Sequence, residues 1–306
     1  MNFLSHAIFS LIYKVVRKPP FLMKTKSKNS KKSVYLFYKE ENTRAVKCSK
    51  KIKEWLLGKN IPIVDEILKA DAVIVLGGDG TILEAARAPK AKNAIIVGLN
   101  LGNVGFLASV REESNFLKAL EKFFKGEYKP VKRTMLLTEV MRQGKKVFSA
   151  TALNEVLVSN LLGVVELEVS IGGYGIQSVR GSGVLVSSAT GSTAYNLSAH
   201  GPIVSPDIQC LVITELLDHG LPTPSIVIKP EHKVEVVIGN FREHRLLASV
   251  DGRESIDVLL QADGDTTFPL KKNDVVSISG SPYLVTFAEL EDSYFFKSLR
   301  EKFSFR

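Results

Sequence analysis

Cysteine is almost absent. Cys48 and Cys210 are the only two in 306 residues, far apart and without metal-type spacing. That excludes a disulfide framework and a cysteine zinc site, and it fits a reducing, cytoplasmic setting. Tryptophan occurs once, as Trp55, where it reads as a packing residue. No apolar run reaches the length of a transmembrane helix. Acidic residues are missing from the first 32 positions, which hold Lys14, Arg17, Lys18, Lys24, Lys26, Lys28, Lys31 and Lys32. This segment carries most of the formal net charge of +9. The remainder is near neutral, so bulk charge does not make the chain a nucleic-acid binder. What is present is ordinary for a globular chain with room for two cores: 45% hydrophobic and 24% charged residues.

Residues 1–32 read as an extension. Phe3, Leu4, Ala7, Ile8, Leu11, Ile12, Val15 and Val16 recur at helical spacing before the basic part. A signal peptide would carry its positive charge ahead of the apolar part and a cleavage site behind it. Neither is found. The expectation is a disordered extension or a true start at Met23, without membrane contact, an interfacial helix being the alternative.

The rest is organised around Ala72–Gly77 and the Gly77-Gly78-Asp79-Gly80-Thr81 string that follows. An apolar β-branched run reads as a buried strand, and Ile82 to Arg87 as the start of a helix. A glycine-rich bend between them can aim backbone N–H groups at an anion, with the helix dipole behind. A carboxylate inside such a loop suits phosphoryl transfer, as acceptor of a hydroxyl proton or beside a divalent cation. The bland alternative is a tight turn with Asp79 as a helix cap.

Before this loop, Ser33 to Tyr38 reads as a strand, Thr43 to Leu57 as a helix and Ile61 to Val64 as a short strand. After it, Ala94 to Gly98 leads into a second glycine-bearing loop, Asn100 to Leu107, and then a helix over Glu112 to Phe124. Alternating strands and helices predict an α/β doubly wound parallel sheet over residues 33–130, with both loops at the carboxyl edge. From 131 to 285 the texture becomes mostly β, a sandwich-like second domain, with helices expected only at Ser192 to Ala199 and Asp207 to Leu217. Residues 286–306 carry Phe287, Phe295, Phe296, Leu299 and Phe303 and read as a helical tail returning to the first domain.

The second domain has signals of its own. Thr190-Gly191-Ser192-Thr193-Ala194-Tyr195-Asn196-Leu197-Ser198 combines small residues, hydroxyls and one aromatic ring, a set suited to a nucleotide. Asn154-Glu155 sits in an apolar strand expected over Ala152 to Val158. Neighbours on a strand face opposite ways, so one of them must reach a ligand or a strand end. An acid accepting from two ribose hydroxyls is the usual chemistry there; an edge strand with a solvated glutamate is the alternative. Asp251-Gly252 reads as a hairpin turn.

Together these strings resemble the NAD kinase family: Gly77 to Thr81, Asn100 to Leu107, Asn154-Glu155, Thr190 to Ser198 with Gly201 to Val204, and Asp251-Gly252, in order from about Ser33 onwards. The resemblance implies transfer of the terminal phosphate of ATP, or of polyphosphate, to the 2′-hydroxyl of the adenosine ribose of NAD, giving NADP. It implies Asp79 as proton acceptor, Gly80 against the dinucleotide, and Asn154 and Glu155 gripping NAD. It also implies a pocket of Arg180, Thr190, Thr193, Ala194, Tyr195, Asn196, Leu197 and Ser198. Mg²⁺ as the divalent cation and a homodimer or homotetramer are implied as well, the metal ligands being unassigned. Ser182, Ser188-Ala189 and Arg253 depart from the family's usual residues, and His219 stands in an altered context. The rival functions are a diacylglycerol- or sphingosine-type lipid kinase and a non-catalytic NAD(H)-sensing module.

Overall fold

A computed structural model describes residues 32–88, 94–102, 105–160, 162–220, 223–241, 257–291 and 294–303. The extension, with Met23, and the Asp251-Gly252-Arg253 turn lie outside these described residues. Strands β1 (Val34–Tyr38), β2 (Ala72–Gly77) and β3 (Ile95–Asn100) are parallel neighbours. Every residue of β2 is buried, as an apolar run must be when helices cover both faces. Helices α1 (Thr43–Gly58) and α3 (Phe116–Phe124) pack on one face through Cys48, Ile52, Leu56, Leu120 and Phe123. Helix α2 (Asp79–Arg87) covers the other through Ile82, Ala85 and Ala86. Asn42 caps α1, its side chain accepting from the Ala45 amide. The short strand expected at Ile61 to Val64 is reduced to a bridge between Val34 and Ile63.

The second half contributes strands to two sheets. β4 (Lys129–Arg142), β5 (Lys145–Ala152), β7 (Val165–Ile171), β8 (Tyr174–Gly181), β12 (Val234–Phe241) and β15 (Val275–Glu289) join the first three in one nine-stranded sheet. β15 is the seam. It lies parallel to β3 at Thr286 and Phe287 and antiparallel to both β4 and β12. Its register shift between Gly280 and Leu284 is the kind of irregularity that bends a strand. β6 (Glu155–Asn160), β9 (Gly183–Ser188), β10 (Leu211–Leu216), β11 (Ile226–Ile228), β13 (Val258–Ala262) and β14 (Thr266–Pro269) make a six-stranded sheet in the order β11-β10-β9-β6-β13-β14. An apolar core including Val156, Val158, Leu167, Val186, Ile213, Val236 and Leu260 fills the space between the sheets. A mixed fold of this kind, parallel α/β first and mostly β afterwards, is the class the sequence predicts.

Four further local expectations change. Asp207 to Leu217 is not helical; Leu211–Leu216 forms β10, where Val212, Ile213 and Thr214 suit a buried pleated surface. Ser192 to Ala199 shrinks to a 3₁₀ turn, Thr190–Thr193, and one helical turn, α4 (Tyr195–Ser198). The strand expected over Ala152 to Val158 breaks at Leu153-Asn154, where the chain leaves one sheet for the other. Phe287 is still in β15, and the tail becomes helical only as α5 (Tyr294–Phe303). Among the described residues no helix is long and apolar enough to cross a membrane.

Candidate functional site

The acidic loop forms first, from local sequence. Gly78 precedes α2 with an extended backbone, and no side chain caps the helix. Its first N–H groups are therefore left for a ligand or solvent. Asp79, the first helical residue, is half-buried. Its carboxylate accepts from the backbone amides of Phe106 at 2.8 Å and Leu107 at 3.3 Å, so the two glycine-bearing loops meet at this one side chain. Gly105 is obligatory there: a Cβ on it would lie 2.1 Å from Asp79 Oδ1. The Gly105 carbonyl is held from the opposite side by α5, accepting from Ser298 Oγ at 3.1 Å and from Tyr294 OH at 3.4 Å. The C-terminal helix thereby fixes the peptide that orients Asp79. Phe106 packs its ring against Phe295 and Phe303 of the same helix.

The second half of the site is a corner between sheets. Asp263, its side chain fully buried and its φ positive, accepts from the amides of Leu153 (2.8 Å), Asn154 (2.7 Å) and Glu155 (3.2 Å). This satisfies the backbone where the strand breaks. Arg87 at the end of α2 pairs with Asp263 through Nε at 3.6 Å and grips Asp265 with both terminal nitrogens. The helix that begins at Asp79 therefore ends on the carboxylate that shapes the Asn154-Glu155 corner. Ser187 Oγ and the Ser188 amide donate to the Asn154 carbonyl. Gly191 comes so close that a Cβ would sit 2.1 Å from that carbonyl oxygen.

Glu155 lies at the buried start of β6, and its Oε2 has no hydrogen-bond partner. Burial, and after it the charge of Asp263, push its carboxyl up to about 8, against the Tyr195 backbone amide, which lowers it. A buried acid with a spare oxygen suits hydroxyl donors such as those of a ribose. Tyr195 is 44% exposed and free to stack. Thr190 is buried, Thr193, Ala194 and Leu197 are partly so, and Ser198 and Gly80 are exposed. Asn196 is turned inward: its side chain is buried, donates to the Pro202 carbonyl and accepts from Thr214 Oγ1. It shapes the loop rather than offering a side chain to a ligand.

Arg133 of β4 lies between Phe287 of β15 and Thr190 of the second half. Nη1 approaches Thr190 Oγ1 at 3.4 Å, and the guanidinium stands 4.8 Å over the Phe287 ring. Burial pushes its pKa down to about 10, opposed chiefly by the charge of Asp79. Sequence reading passed it over, although one signal existed. Val131, Arg133 and Met135 alternate onto the buried face of β4, an unusual place for a charge. Asp263 and Arg87 were missed as well, having no motif of their own.

Not every expected residue joins this group. Arg180 is exposed on β8, its described backbone bonds going to Asp218 and His219. Ser182 links β8 to β9, its amide donating to Leu216 and its carbonyl accepting from Asn160. No described contact ties Arg180, Ser182 or His219 to Asp79, Glu155 or Tyr195.

Comparison with known proteins gives the family and the fold. Residues 25–128 match the family model of the ATP-NAD kinase N-terminal domain, and residues 153–262 that of the ATP-NAD kinase C-terminal domain. The NAD kinase of Geotalea daltonii is 30% identical over 291 residues, 89% of this chain and 98% of that protein. That of Symbiobacterium thermophilum is 35% identical over 238 residues, 77% and 79% of the two chains. Two crystal structures share the fold. Yeast NADH kinase complexed with NADH has a TM-score of 0.76 at 20% identity, covering 91% of this chain and 89% of its own. An NAD kinase from Archaeoglobus fulgidus in complex with ATP has 0.66 at 22%, covering 88% and 98%.

Proposed function

The chain belongs to the NAD kinase family, and from that premise we propose how its own residues phosphorylate NAD to NADP with ATP as donor. Asp79 is the proton acceptor for the ribose 2′-hydroxyl. Each carboxylate oxygen has two lone-pair sites, so accepting one amide apiece leaves capacity for a substrate hydroxyl. The amides of Phe106 and Leu107 fix the carboxylate and make this preorganisation rather than chance proximity. That two-amide grip, itself held by α5, is the observation that carries the reading. The uncapped start of α2 receives phosphate oxygens. Glu155, with its unpartnered Oε2, takes ribose hydroxyls, Asn154 supports the corner, and Tyr195 stacks on a base. Thr190, Thr193, Ala194, Leu197 and Ser198 line the same wall, with Asn196 behind it. Gly80 gives the dinucleotide access to the backbone.

Among the described residues no group of three His, Cys, Asp or Glu side chains could cage a cation. The donor set does not fit a metal held by the protein alone. Mg²⁺ belongs with the triphosphate, to which such an ion is commonly bound with one or two carboxylates and several waters. A cytoplasmic location and a homo-oligomer belong to the same proposal. Neither a lipid kinase nor a sensing module finds support in the relatives above. Incubating the purified protein with ATP, Mg²⁺ and NAD should yield NADP. Asp79→Asn should slow this by about 10²–10⁴-fold while NAD affinity, read by calorimetry, stays within a few-fold. Wild-type turnover in that variant would remove Asp79 from its role.

A further inference from the structure

Against Phe106 and Leu107, whose amides hold Asp79, lies a cavity of about 160 Å³ whose other walls include Lys129, Arg133, Asp207, Phe287 and Tyr294. Arg133 is only 9% exposed. Its Nε has no hydrogen-bond partner, and its one described hydrogen bond is the long one to Thr190. Among the described residues no carboxylate approaches it within ion-pair distance. The acids nearest in charge are engaged elsewhere: Asp79 with two amides, Glu289 with Lys129 at 3.7 Å, and Asp207 with Ser205 Oγ. A buried guanidinium with a spare donor is costly unless an anion completes it. Its planar fork matches a phosphate. The positive charge also argues against a cation in the same space.

We propose that Arg133 and this cavity form a phosphate-binding subsite, in which the guanidinium holds a phosphate group of a bound nucleotide against the Asp79 loop. The inference rests on the kinase reading for the identity of the nucleotide, not for the anion itself. Two sources supply such a phosphate, the triphosphate of ATP and the pyrophosphate of NAD.

Calorimetry with four probes tests this: ATP, NAD, inorganic pyrophosphate and adenosine. Arg133→Met keeps the length and packing on Phe287 but removes the charge. Its affinity for at least one phosphate-bearing nucleotide, and for pyrophosphate, should fall about 10–100-fold, with adenosine unchanged within twofold. A loss confined to ATP assigns the donor's phosphates, a loss confined to NAD assigns the dinucleotide's, and a loss of both assigns a shared subsite. Arg133→Lys, which retains charge without the fork, should lose less, and it serves if the methionine variant fails to fold. Unchanged affinity for all four probes, or equal loss of adenosine, would overturn the proposal. Binding is read without turnover, so a wild-type protein that formed no NADP would sink the kinase reading and leave this comparison standing.

Discussion

The two halves of the site are built in opposite ways. The Asp79 half grows from contiguous sequence, a buried strand, a glycine bend and a helix, and its carboxylate is steered by backbone amides of the next βα loop. The Asn154-Glu155 half is a break between sheets that exists only because Asp263, over a hundred residues later in the chain, accepts three amides there. The first is a local design that needs buttressing by α5; the second is a tertiary design that needs one distant acid. Damage to the first should therefore appear in the chemical step, and damage to the second in stability and NAD binding.

The sharpest test of that contrast is Gly105→Ala. The new methyl would collide with Asp79 Oδ1, and a displacement of about 1 Å can cost about 10²-fold in rate. kcat should fall by that order with little change in KM for NAD; a pure KM effect would break the comparison. Asp263→Ala strands three backbone amides, each worth about 1–3 kcal/mol if left buried and unpaired. A loss of about 3 kcal/mol or more in urea unfolding is expected, with a raised KM for NAD. Gly191→Ala presses on the Asn154 carbonyl and should raise KM for NAD about tenfold, with kcat within a few-fold.

The smallest effect concerns pH. Folding raises the Glu155 carboxyl from the ordinary value near 4.5 to about 8. The folded chain therefore binds the extra proton between those values, and ligand-free stability falls as pH rises through that window. Glu155→Gln should flatten this slope and raise the melting temperature at pH 8 by several degrees, while weakening NAD binding. A slope identical to wild type would remove Glu155 as its source.

The second half was legible only in part. Asn154-Glu155 reads as a polar pair in an apolar strand, and the strand end expected to accommodate it is what the corner supplies. The strand break itself was invisible, since Ala152 to Val158 reads as one run until two sheets compete for it. The helix expected over Asp207 to Leu217 failed for a related reason. Ile208, Leu211, Val212 and Leu216 fit a helical stripe, but pairing with β9 buries nearly all of Leu211–Leu216. The hairpin at Asp263-Gly264 bears on a partner more than a hundred residues away, a relation no local turn rule contains.

By itself the sequence determined the three parallel strands and three helices of the first region, the glycine loop with its acid, and the strings that mark the family. All of these depend on neighbours within a few residues, where propensity and spacing act directly. Tertiary structure alone decided that β15 would join both regions in one sheet, that α5 would hold the Gly105 peptide, that Asp263 and Arg87 would meet at the Asn154-Glu155 corner, and that Arg133 would reach Thr190. Each of those depends on groups brought together across long loops, and their energies exist only once burial has removed the water that would otherwise satisfy them.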